Sequence, residues 1–148
     1  MIIDLLKMSM ANHIVCKYTA FTYHINVEGV DFTQFHALFG DIYADYDSQV
    51  DVLAEYIRII SSGAEYVNGA LEVTLANKTI SGDLIVGAKP IEMVTSIIKL
   101  NNELLTDYSK IFDEATKEDL QGLADYCAAR IDKLSKTNWM LISISKNK

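Results

Sequence analysis

A chain of 148 residues, half of them apolar, is long enough to bury one core and fits a single domain, 1–148, rather than two. One proline and seven glycines leave little material for the turns of an all-β sandwich, so composition favours helices. The formal charge of −7 repels nucleic acid at long range and attracts cations, the reverse of an isolated DNA-binding module.

Ile3, Leu6, Met10, Ile14, Tyr18 and Phe21 recur at steps of three and four, which predicts a first amphipathic helix from Ile3 to Ile25, ended by Gly29. Asp31 offers an N-cap to a second helix, whose stripe runs from Phe35 through Leu38, Phe39, Ile42, Val50, Leu53 and Ile57 to Ile60. Ser61, Ser62 and Gly63 close it. In residues 64–88 the period is lost, β-branched residues mix with Gly69, Gly82 and Gly87, and the segment reads as a connector with room for a short helix. Pro90 suits the first turn of a third helix, where its missing N–H is not needed, and Ile91, Val94, Ile97, Leu104, Tyr108 and Ile111 carry the stripe. Thr-Lys-Glu-Asp at 116–119 predicts that a fourth helix begins near Thr116, carrying Leu120, Leu123, Cys127, Ile131, Leu134 and Trp139.

Two helices joined by a short loop, a long connection, and two more helices joined by a short loop let the chain cross a bundle from end to end. The expected fold is all-α, a ferritin-like four-helix bundle with a long middle crossover. No repeat of 20 to 50 residues points to a solenoid. Cys16 and Cys127 stand in no CxxC or Cys/His spacing and read as small core residues. Charges interrupt the apolar start of the chain and no run reaches the ~18 residues of a membrane span, so a soluble, cytoplasmic protein without membrane contact is expected.

Iron-oxidising bundles build a di-metal site inside the bundle from Glu residues and Glu-x-x-His motifs. This chain has no Glu-x-x-His, and its histidines are His13, His24 and His36. A centre within one subunit is therefore not supported, which leaves His24 and His36 as the histidines that stand in a recognisable pattern. Tyr23-His24-Ile25-Asn26-Val27-Glu28-Gly29, then Phe35-His36, then Asp51-Val52-Leu53-Ala54-Glu55 resembles the signature of the Dps family (DNA protection during starvation). In that family a His-Trp-Asn-Val-x-Gly stretch precedes a second histidine by twelve residues, and an Asp-x-x-x-Glu pair follows on the same helix. The spacings 24 to 36 and 51 to 55 match, and Thr116 to Ser145, with Asn138-Trp139-Met140-Leu141, is similar to the family's last helix.

The resemblance implies a hollow shell of twelve subunits built from two-fold dimers. It also implies ferroxidase centres shared across the dimer interface, with His24, His36, Asp51 and Glu55 as catalytic metal ligands and iron as the metal. Iron oxidised there by peroxide or dioxygen would be stored as ferric product, which protects against oxidative damage. Helix geometry agrees with sharing: at 1.5 Å per residue, His36 and Asp51 lie about 22 Å apart along one helix, too far for one ion. If the second helix met its copy antiparallel about residues 45 and 46, His36 of one chain would face Asp51 and Glu55 of the other, twice per dimer. Imidazole and carboxylate suit ferrous iron while leaving room for an oxidant.

The chain departs from the family at Gly40, where a further carboxylate is usual, at Ile25 in place of tryptophan, and at Tyr56 in place of arginine. Asp41 is turned about 100° from the needed face, and Asp47, one turn before Asp51, is an auxiliary candidate. A second reading therefore stands beside the first: a non-enzymatic assembly protein of this type with a degenerate metal site. His13 has no partner pattern and reads as structural or solvated. Asp45, Asp47 and Asp51 compete as a solvated helix face, Trp139 reads as a core or interface anchor, and Tyr43, Tyr46, Tyr56 and Tyr66 as packing rather than a radical path. With only Lys146 and Lys148 at the C-terminal end there is no long basic arm, and twelve copies at −7 carry −84, so direct DNA binding is expected to be weak or absent.

Overall fold

The computed structural model describes residues 1–82 and 86–146, so Lys148 and part of the 64–88 connector lie outside the described residues. Five helices follow in order: α1 (Ile2–Asn26), α2 (Phe32–Ile60), α3 (Leu71–Asn77), α4 (Pro90–Lys117) and α5 (Gln121–Ser145). The long helices pair as α1 with α2 and α4 with α5, α1 meets α4 across the bundle, and the short α3 of the connector lies on α1. The result is the all-α four-helix bundle that the spacing predicts. No helix among the described residues is long and apolar enough to cross a membrane.

Leu53, Ile57, Ile97, Leu104, Ile111, Leu134 and Leu141 form the dry part of the core, and Cys16 and Cys127 are buried free thiols within it. Pro90 sits at the start of α4, where Glu92 Oε1 accepts the Lys89 N–H at 2.8 Å and closes the first turn. Asp31 occupies the N-cap position of α2 but makes no side-chain cap bond. The turn is closed instead by the backbone, Phe32 N–H donating to Gly29 O at 3.1 Å, with Gly29 at φ +116°, a conformation that a Cβ would strain.

Three local expectations are corrected. The expected face of α1 holds at Leu6 and Met10 but not at Tyr18 and Phe21, since Tyr18 is 57% exposed; the buried face continues instead through His13, Cys16, Ala20 and Tyr23. Polar side chains share that face, so hydrophobic periodicity points off it. The fourth long helix does not begin near Thr116, whose hydroxyl donates back to Phe112 O at 2.9 Å inside α4. The break falls at Asp119, with φ +57°, and Leu120 N–H caps back to Ala115 O at 2.8 Å before α5 starts. Trp139 is 66% exposed and so is not a core anchor of its own chain.

Candidate metal centre

The short α1–α2 turn sets the last turn of α1 beside the second turn of α2, and so brings His24 and His36 together. Their rings stack with centroids 3.9 Å apart and 14° between planes, and Phe32 also stacks on His36 at 5.0 Å. The two residues lock each other reciprocally. His24 Nδ1 donates to the His36 carbonyl at 2.7 Å, and His36 Nδ1 donates to the His24 carbonyl at 2.6 Å. A carbonyl only accepts, so each Nδ1 carries a proton, and the tautomer this selects is the one with the lone pair on Nε2. Fixing the tautomer through the other ring nitrogen is how metal-ligating imidazoles are oriented and made more basic.

Gly40 follows His36 by one helical turn and faces the same place. A Cβ built there would lie 2.8 Å from His24 Cε1 and 2.9 Å from Nδ1, so the imidazole fills the space that a side chain at 40 would need. The missing carboxylate and the stacked histidine are therefore one structural fact rather than two.

Asp51 and Glu55 are exposed one turn apart on α2, on a separate stretch of the helix from the histidines. Among the described residues, no three histidine, cysteine, aspartate or glutamate side chains of one chain gather closely enough to hold a metal ion. The run of aspartates is divided. Asp47, the auxiliary candidate, pairs with Lys17 Nζ at 2.8 Å, and that hydrogen bond raises the lysine pKa. Asp45 turns inward to Arg130, with Nη2 to Oδ2 at 2.7 Å. Asp41 and Ile25 are exposed, and the Tyr56 ring lies tilted against Tyr126 with centroids 5.2 Å apart. The locked ring pair itself was missed in the sequence, where twelve-residue spacing marks two histidines but not that their rings touch.

The model of the ferritin-like domain matches residues 3–147, so the chain belongs to the ferritin-like family. Dps proteins are among the relatives it is similar to. A DNA protection during starvation protein of Brevibacillus brevis is 29% identical over 137 residues, covering 93% of this chain and 89% of the relative. Among solved structures, a Dps protein from Bacillus brevis superposes with a TM-score of 0.87 at 26% identity, covering 97% of this chain and 93% of that one. Helicobacter cinaedi CAIP superposes with a TM-score of 0.91 at 22% identity over 98% and 99% of the two chains, a likeness of fold.

Proposed function

We propose that this chain is a mini-ferritin of the Dps type that binds and oxidises ferrous iron at sites shared by two subunits and stores the ferric product in a hollow shell. The observation that carries the reading is the reciprocal lock of His24 and His36, which holds two imidazoles side by side with both Nε2 lone pairs free for a cation. In a two-fold pair of α2 helices, Asp51 and Glu55 of the second copy complete the ligand set and neutralise the charge of the ion. Ferrous iron is the substrate, losing one electron to peroxide or dioxygen. With Gly40 where a carboxylate is usual, one metal position per site fills more readily than two. The acidic charge of the chain draws cations in and makes direct DNA binding at physiological salt weak.

Ferrous titration of the wild type beside His36→Ala, Asp51→Ala and the two variants co-expressed tests the sharing. Each variant alone should fail to oxidise iron faster than buffer. In mixed dimers one chain supplies both histidines and the other both acids, so about a quarter of the wild-type sites should return. A wild type that oxidises no iron, or a preparation that scatters light as a monomer, favours the second reading or removes the shared site altogether.

Gly40→Ala separates the site from the fold. The new Cβ expels the His24 ring from its stack, so Co²⁺ or ferrous binding should weaken by about tenfold or more. Helix content should hold or rise, because alanine is favoured over glycine in a helix by about 1 kcal/mol. Unchanged metal binding in this variant would show that the stacked pair is not the ligand geometry.

A further inference from the structure

A polar layer crosses the bundle interior and takes no part in the proposed metal centre. His13 on α1 is fully buried, its Nδ1 donating to Ser9 O at 2.7 Å, which leaves Nε2 as an acceptor. The Tyr108 hydroxyl on α4, also fully buried, lies 2.8 Å from that Nε2. The direction of the bond follows from the neighbours. Tyr126 spends its own proton on Gln49 Oε1 at 2.6 Å, and Arg130 Nε donates into the Tyr108 oxygen at 3.4 Å, so the Tyr108 proton points to His13. Burial holds the His13 pKa down to about 4 and pushes the Tyr108 pKa up to about 12, which leaves a phenol bonded to a neutral imidazole.

Aromatic rings lead from this pair to the helix that carries the carboxylates. Tyr108 meets Tyr126 at 5.9 Å between centroids, and Tyr126 meets Tyr56 at 5.2 Å. Tyr56 is half-buried and follows the exposed Glu55 on α2. A phenol sealed in a low-dielectric core does not lose an electron while keeping its proton, because the bare cation is uncompensated there. Here a base is already in line to take the proton.

We propose that Tyr108 and His13 form a buried redox pair that delivers one electron through Tyr126 and Tyr56 to an oxidant held beside Glu55. The proposal rests on the iron reading for the identity of that oxidant, hydrogen peroxide. Peroxide needs two electrons to become water, and a site holding one ferrous ion supplies one. In the step proposed, peroxide takes one electron from ferrous iron and one from Tyr108, picks up two protons from solvent, and leaves as two waters with its O–O bond broken. The Tyr108 hydroxyl proton passes to His13 Nε2, leaving a neutral tyrosyl radical, an imidazolium and a ferric ion. A second ferrous ion then returns an electron to the radical while His13 returns the proton. Two ferrous ions are thus consumed per peroxide at a site that holds one at a time, and no hydroxyl radical escapes. From α5, Arg130 faces the pair with its charge matched by Asp45 of α2, and the Tyr46 ring packs edge-on to His13 at 6.5 Å.

The test is freeze-quenched electron paramagnetic resonance on the assembled protein after two separate treatments: ferrous loading followed by peroxide, and hexachloroiridate(IV) without iron. A neutral tyrosyl radical is expected in both, falling roughly tenfold or more in Tyr108→Phe and in His13→Gln, which keeps the phenol but removes the base. 3-Fluorotyrosine placed at position 108 should add fluorine splitting to the signal, which identifies the radical even where Tyr108→Phe does not assemble. A signal unchanged by these substitutions, or ferrous oxidation by peroxide with no radical at 108, overturns the proposal. A Tyr108 radical with hexachloroiridate in a protein that binds no ferrous iron overturns the iron reading and upholds the pair.

Discussion

Arg130→Ala is expected to destabilise the folded chain by about 3 kcal/mol, since removing one partner of a buried ion pair strands the other. Arg130 grips Asp45 with both ends of its guanidinium, Nη1 to Oδ1 at 3.1 Å and Nη2 to Oδ2 at 2.7 Å, and its side chain is 8% exposed. Burial opposes its charge, but the bonds to Asp45 and Tyr108 outweigh that and raise its pKa. Asp45 keeps 28% of its side-chain exposure, so water recovers part of the stranded charge and the loss belongs at the lower end of the buried-pair range. The pair ties α2 to α5, two helices that are not sequence neighbours in the bundle, so its loss loosens the layer around Tyr108 as well. Replacing both partners, Arg130→Met with Asp45→Leu, should recover most of the stability, because an apolar pair of similar volume pays no desolvation cost. Urea unfolding midpoints of the two variants check this, and a single-variant loss below about 1 kcal/mol would place the pair among ordinary surface bridges.

Helices α2 and α4 were readable from the sequence because their buried faces are mostly apolar, from Phe35 to Ile57 and from Val94 to Ile111. The face of α1 was not, because Ser9, Asn12, His13 and Thr19 are buried there and hydropathy cannot see a polar group whose partner lies on another helix. Asn12 shows the reason: its amide donates to Asp107 Oδ2 at 2.7 Å, a residue 95 positions away. The start of α5 was hidden similarly, since the Thr116 hydroxyl satisfies either an N-cap or an inner turn, and only the positive φ of Asp119 decides. His24, His36, Asp51 and Glu55 came from resemblance. Their chemistry depends on contacts that spacing does not encode, the ring stack and the fit of Gly40 against it. In the sequence Tyr108 is only one position of an apolar stripe and Tyr126 carries no signal, because what distinguishes them is the hydroxyls they share with His13 and Gln49.

Acidification from neutral pH should weaken the fold through His13. In the unfolded chain this imidazole titrates near its ordinary value of 6.5, whereas in the bundle burial keeps it neutral down to about 4. Between those two values the unfolded state binds the extra proton and the folded state does not, so stability falls as pH drops through that window and levels off below it. The full drop corresponds to about 3 kcal/mol. The Ser9 carbonyl and the Asp45 charge favour the imidazolium, Arg130 opposes it, and burial dominates them all. Asp107 acts in the other direction: burial raises its pKa against the Asn12 hydrogen bond, so the folded state takes up that proton first and acidification relieves the strain of burying a carboxylate. The wild-type curve should therefore decline from about pH 6.5 and flatten as Asp107 titrates. His13→Gln should remove the decline and keep the Asp107 recovery, and urea midpoints measured between neutral pH and pH 4 for both proteins would reveal it. Parallel curves for the two would mean that His13 takes up its proton at the same pH folded and unfolded, so that burial does not keep it neutral through the window from 6.5 to about 4.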